Sequence, residues 1–300
     1  MDPPNVLWFT GTYALASGSY ALLGALPESH SSAWIFVAAL ALLLVYSLAS
    51  NGLLRQGWWV PGGLAAALAV AMAPAVAVGF LRLIDVWSND VPITDFNGCA
   101  LAVAIVTAIA GLVAYWPTRF SFLFFTVVTA ILVAAQFLAV AGGSPSGEDR
   151  ATAALVAGGL IVIAGVFLDA FDRRRDAFWF HALGWFSAAA GLVFLIVEPG
   201  GDPERGWIPM LIVGTLMVIA AGPIRRATWA VYGVLGYYAP LLHYMVTGLD
   251  DNGWVFAVAL LAMGLSIFAF GMLIHRYGGT WGQRLVRRPP PLADYSSSSL

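Results

Sequence analysis

Lysine is absent from this 300-residue chain, and cysteine occurs once, at Cys99. Without lysine, a retinal Schiff base, pyridoxal chemistry and any lysine nucleophile are excluded. A lone cysteine builds no intrachain disulfide, no thiolate metal cluster and no Cys-x-x-Cys redox pair. Charge of either sign is scarce as well: 10% of residues are charged, against about 25% in an average soluble domain. The net charge of −2 offers no basic surface for a nucleic-acid partner, and the arginines lie at the ends of apolar runs, outside any groove-sized patch.

Apolar sequence fills the space that charge leaves. Sixty per cent of residues are hydrophobic, against roughly 45–50% in a soluble domain. They collect in ten runs, approximately Val6–Leu26, Ala33–Leu54, Trp59–Ile84, Asn97–Trp116, Phe120–Ala141, Ala151–Ala170, Ala177–Val197, Trp207–Gly222, Ala227–Val246 and Gly253–Ile274. Most can cross about 30 Å of hydrocarbon as a helix, which satisfies its own backbone where an open strand edge would not. The expected fold class is all-α, a polytopic transmembrane bundle of about ten spans in one domain over residues 1–283. Residues 284–300, basic and then rich in proline and serine, have nothing to bury and read as a disordered cytoplasmic tail, its first arginines against anionic headgroups. Met1 to Val6 carry no basic residue, so the first run is expected to stay as a helix rather than be cleaved as a signal. The weakest run is Trp207–Gly222, short and with Pro209 in its first turn, where proline is tolerated.

All fourteen basic residues are arginines, and their placement sets the orientation. With the N-terminus inside and sides alternating, Arg55, Arg119, Arg173 to Arg175, Arg225, Arg226, Arg276, Arg284, Arg287 and Arg288 are cytoplasmic; only Arg82, Arg150 and Arg205 are outside. That is the positive-inside pattern, and an even number of spans puts both termini in the cytoplasm. Eleven of the acids, Glu28 and Asp85 among them, run the other way. Ten tryptophans near run ends, including Trp8, Trp58, Trp87 and Trp207, read as an interfacial belt. Ten helices split at the Gly142–Arg150 loop into 1–141 and 151–283, and five per half is the arithmetic of an inverted repeat.

Two runs carry polar side chains that hydrocarbon does not tolerate unpartnered. In the first, Thr10, Tyr13, Ser17 and Tyr20 share one stripe and should face the bundle or a wet cavity. In the ninth, Gly233, Gly236, Pro240 and His243 share a face among Tyr237, Tyr238 and Tyr244, and Pro240 leaves a carbonyl without its donor. The candidate cavity-lining residues are therefore Thr10, Tyr13, Ser17, Tyr20, Tyr237, Pro240, His243 and Tyr244, although the tyrosines and His243 serve equally well as an interfacial anchor or as bonds to a neighbouring helix. His181 heads a stripe with Gly184, Ala188 and Gly191, a small-residue face suited to close helix packing. His181 and His243 differ in depth by roughly 18 Å at the helical rise, so they share no haem or metal, and no cofactor is expected. Asp169 precedes Arg173 by the spacing of a helical ion pair. Gln136 needs a partner, and Glu198, in Val-Glu-Pro-Gly-Gly-Asp, reads as a boundary and turn residue. No serine stands in a nucleophile-elbow context, and no acid, base and nucleophile converge, so an enzyme is the least favoured class.

The stretch Arg174–Arg276 contains Arg-Arg-Asp-Ala-Phe-Trp-Phe-His-Ala-Leu-Gly from Arg174, Arg225-Arg226, Tyr232-Gly233-Val234-Leu235-Gly236-Tyr237, Leu242-His243-Tyr244, Gly264 and His275-Arg276. In these residues it resembles a group of uncharacterised bacterial polytopic inner-membrane proteins. The resemblance covers about a third of the chain; it implies a fold of that kind and a bacterial inner membrane, and brings no activity with it. The expected partners are the lipid bilayer and a small-molecule solute, with no nucleic acid. The leading functional expectation is a small-solute carrier or permease; the alternative is a non-transporting scaffold or accessory subunit, because transporters usually carry more intramembrane charge.

Overall fold

The computed structural model describes residues 3–25, 32–87, 97–141, 147–198, 201–224, 226–248 and 253–285. Among them are ten helices and no strand: α1 (Pro3–Gly24), α2 (Ser32–Arg55), α3 (Trp59–Leu83), α4 (Gly98–Thr118), α5 (Leu123–Ala139), α6 (Gly147–Ala170), α7 (Arg174–Val197), α8 (Glu204–Ile224), α9 (Ala227–Gly248) and α10 (Gly253–Leu285). Seven of these (α2, α3, α4, α6, α7, α8 and α10) are long and apolar enough to cross a membrane, with mean hydropathy from 1.9 to 2.4. Large apolar side chains such as Leu48, Val113, Phe167, Leu216 and Phe268 stand exposed on their outer faces, as lipid-facing residues do. The chain is a multi-pass membrane protein. Helix α5 is apolar but has 17 residues. Helices α1 and α9 have the length, 22 residues each, and are diluted by the hydroxyl and ring groups that marked them in the sequence. His30, Arg225, Arg287, Arg288, the loop acids Glu28, Asp90, Asp95, Asp250 and Asp251, and the rest of the segment from Val286 lie outside the described residues.

Several helices shift by a few residues from their expected bounds, α6 beginning at Gly147 and α7 at Arg174, and two of the shifts bear on the reading of the runs. The eighth begins earlier, because Asp202 accepts from Glu204 N at 3.0 Å through its side chain and from Arg205 N through its carbonyl. Pro209 therefore stands in the second turn rather than the first. This segment, the weakest of the ten as a run, is a 21-residue helix. The tenth continues unbroken beyond Ile274 to Leu285, 33 residues in all.

The chain divides into two compact units, Met1–Pro199 with α1–α7 and Gly200–Leu300 with α8–α10. The division falls where Glu198 is extended, at φ −65° and ψ 123°, as a residue before proline must be. The Gly142–Arg150 loop thus joins two helices of the same unit.

In the first unit α3 packs against α1, α2, α4 and α5. Its alanines and glycines allow this approach: Phe120 lies over Gly63, the Phe36 backbone over Gly79, and Ser50 donates to the Gly62 carbonyl at 2.8 Å. A cluster of Ala66, Ala67, Val70, Tyr115, Leu123, Phe124 and Val127 forms the core between α3, α4 and α5. Helices α6 and α7 meet along a seam in which Gly158 faces Gly184 and Ala188, and Gly191 faces Ala151. The small-residue stripe headed by His181 is a packing face. Trp8 meets Trp58 at 6.2 Å and Phe9 meets Phe122 at 5.9 Å, so the start of α1 lies at the same end as the α2–α3 and α4–α5 turns. Tyr115 and Ser121 reach Asp176 there, which adds the α6–α7 turn to that end.

In the second unit α8 and α9 cross backbone to backbone, with Gly214 against Gly236 and Gly233 against Met217 and Val218. Helix α10 packs on both.

Candidate functional site

Helices α4 and α5 expose small side chains to each other, and the outcome differs along their length. Near Gly111 the two close up against Val127. Towards the start of α4 they part. Ala100, Val103, Ala104 and Thr107 form one face of α4, at helical spacing; Thr126, Thr129, Ala130 and Val133 face them from α5, with Phe125 and Phe137 at either end of that stripe. Ala71 and Pro74 of α3, Tyr20 of α1 and Trp87 complete a cavity of about 430 Å³. That volume falls in the range of small-molecule sites. None of its fourteen described lining residues is charged.

Tyr20 holds α1 to this cavity. Its hydroxyl donates to the Ala71 carbonyl, one residue past Val70, whose helical donor Pro74 removes. Thr107 donates to Val103 O at 2.7 Å within its own helix. A Tyr20→Phe variant is expected to lose about 1 kcal/mol. The loss should appear first as faster amide exchange in α1, read by mass spectrometry; unchanged exchange there would show that the bond does not hold the helix.

The remaining first-helix candidates point elsewhere. Tyr13 is 76% exposed and Ser17 is exposed. Thr10 donates back to Val6 O at 2.9 Å. A polar contact from this helix to α2 comes instead from Ser19, whose Oγ lies 2.6 Å from the Tyr46 hydroxyl.

The ninth-helix candidates are engaged within the second unit. Tyr237 lies 3.3 Å from Ser266 Oγ of α10. Pro240 is fully buried inside a helix that runs continuously through it. His243 stacks on Trp207 with ring centroids 4.4 Å apart and planes 11° from parallel, and Tyr244 donates to Glu204. These contacts tie α9 to both of its neighbours.

A polar cluster that the sequence reading did not single out lies at the end of the first unit where the α4–α5 and α6–α7 turns meet. Tyr115 donates to one carboxylate oxygen of Asp176 at 2.5 Å, and Ser121 to the other at 2.7 Å. Asp176 is only 8% exposed. Arg119 closes α4 in a left-handed conformation, φ 50°, and places its guanidinium over the Tyr115 and Trp116 rings. The available signal was Asp176 heading a stripe with Phe180, a carboxylate at the top of an apolar face.

Beside it, Asp169 is paired differently from expectation. Helix α6 ends at Ala170 and Asp172 turns left-handed, φ 60°, so four residues no longer place Asp169 and Arg173 on one helix. Asp169 Oδ2 instead lies 2.9 Å from Nε2 of His181, a ring with 0% exposure. Gly165 leaves room for that ring, since a Cβ there would lie 3.1 Å from His181 Cε1. Both carboxylates serve as ties between helices. Gln136 donates to Arg150 O at 3.4 Å, and the Glu198 carboxylate lies against Gly147 at the start of α6, where the helix dipole favours it.

Among the described residues no group of three or more His, Cys, Asp or Glu side chains converges to hold a metal. No protein-family model, no curated protein and no solved structure matches the chain.

Proposed function

We propose that the protein is a small-solute carrier or permease of a bacterial inner membrane, with ten spans and both termini in the cytoplasm. The observation that carries this reading is the cavity among α1, α3, α4 and α5, of a volume suited to a small molecule and bordered by a helix with a proline inside it. The orientation draws support from the first unit. The end that gathers the start of α1 and the turns after α2, α4 and α6 carries Arg55, Arg119 and Arg173 to Arg175.

A second reading, a non-transporting scaffold or accessory subunit, draws on the second unit, where Tyr237, His243 and Tyr244 are taken up by contacts to α10 and α8. Metabolite profiles of cells lacking and overproducing the protein separate the two. A reciprocal change in one solute class is the expected result. Unchanged metabolites together with impaired assembly of another membrane complex would favour the scaffold. Reporters fused to the two chain ends should both face the cytoplasm, and opposite sides would rule out the ten-span count.

A further inference from the structure

We infer that the cavity takes an elongated, uncharged and predominantly alkyl or aryl molecule. This rests on reading the cavity as the carrier's solute site. Two features of the lining lead to it.

The first is chemical. None of the described lining residues is charged, so among them an ion, a zwitterion or a phosphate would be desolvated with nothing to pair with. Of the four hydroxyls among the described lining residues, Tyr20 and Thr107 already donate to backbone carbonyls, which leaves Thr126 and Thr129, beside the Trp87 indole N–H, as donors to a ligand. A sugar brings many more hydroxyls than these groups can satisfy, and each one left over in such a site is costly. An alcohol, ketone, ester or plain hydrocarbon leaves no such deficit.

The second is shape. On α5 the lining runs from Phe125 to Phe137, a stretch of about 18 Å at the helical rise. On α4 it follows one stripe of small residues along the same groove. A slot of this form suits a chain or a flat ring system better than a compact polar solute. It is also open, because Tyr20, Phe125 and Thr129 in its lining are exposed.

The test is photolabelling of the full-length protein in lipid nanodiscs with a diazirine-bearing octanol. Labelled positions are mapped by mass spectrometry and normalised to lipid-facing residues of α10 such as Phe268. Labelling of Phe125–Phe137 should exceed that background and fall about tenfold in Ala104→Leu, the size of effect that an inserted side chain clashing with a ligand produces. Ala130→Leu, which fills the same space from the facing helix, should repeat the loss, so the result does not depend on one variant folding. Excess unlabelled octanol should compete; excess glucose or glutamate should not. Cavity labelling no higher than the α10 background, labelling indifferent to both fillings, or competition by glucose or glutamate would each overturn the inference.

The same alkyl chemistry comes from a free solute or from a bilayer acyl chain, and a diazirine phosphatidylcholine run in parallel separates them. If the octanol labels the cavity and the phospholipid does not, the source is a free solute. If the phospholipid labels it equally, the chemistry of the cavity stands and the source is the bilayer. Liposome flux of the octanol then judges the carrier reading separately: binding without flux removes that reading and leaves the ligand class intact.

Discussion

A Gly214→Ala variant should lose about 3 kcal/mol of stability, the upper end of what overpacking costs. A Cβ at Gly214 would lie 2.4 Å from the Gly236 carbonyl carbon and 2.4 Å from Tyr237 N. Both are backbone atoms, so no side-chain rotation relieves the overlap and α8 must move away from α9. In a helix whose glycine faces open space, the same substitution gains up to about 1 kcal/mol from propensity alone. Gly264→Ala, with nothing within 4 Å, supplies that control in the same unit. Gly236→Ala, whose Cβ would come no closer than 3.2 Å, should fall between the two. Unfolding in mixed micelles of increasing denaturing-detergent content measures all three. If Gly214→Ala unfolds no earlier than Gly264→Ala, the crossing is looser than the two glycines imply.

Asp176→Ala should be nearly as damaging, by about 2–3 kcal/mol, because it removes the acceptor of two hydroxyls at a buried position. Tyr115 and Ser121 each bond a different oxygen of that carboxylate, so the single variants Tyr115→Phe and Ser121→Ala should cost about 1–2 kcal/mol each, as hydrogen bonds to a charged acceptor do. Interhelical polar contacts in membrane proteins average only about 0.6 kcal/mol, so an effect of this size sets the cluster apart from ordinary packing bonds. Asp176→Asn keeps the volume but places an N–H₂ donor against one hydroxyl, which should make it intermediate. A double-mutant cycle between positions 115 and 176 reads the coupling directly; a coupling of zero would mean that the two groups act independently.

Much of this architecture was legible in the residues. Composition and run length pointed to an all-helical membrane bundle, and the His181–Gly184–Ala188–Gly191 stripe to a close packing face, whose partner, α6, only the structure identifies. Partners across helices were the hidden part. Asp169 lies four residues before Arg173, but the spacing carries no information once the helix stops between them, and the histidine that takes its place lies twelve positions on. The cavity was harder still. Small faces on the fourth and fifth runs could have closed into a seam like that of α6 and α7; one run's spacing does not say whether facing alanines meet or leave a gap, here one that Ala71 and Pro74 of α3 also line. Of the four members of the first run's hydroxyl stripe, Tyr20 alone lies in the lining of this cavity. A four-residue stripe on one face says nothing about how far along the helix a neighbour extends.

The length of α10 bears on how motion in this protein could be observed. Thirty-three helical residues span about 50 Å, against about 30 Å of hydrocarbon, and at an ordinary tilt of about 20° roughly 17 Å must project into water. Such a rod amplifies rotation: a tilt change of about 10° about its far end sweeps Leu285 sideways by about 9 Å. That is well within the range of a distance measurement between two spin labels. A probe at the protruding tip would therefore register small rearrangements inside the bilayer as large displacements outside it.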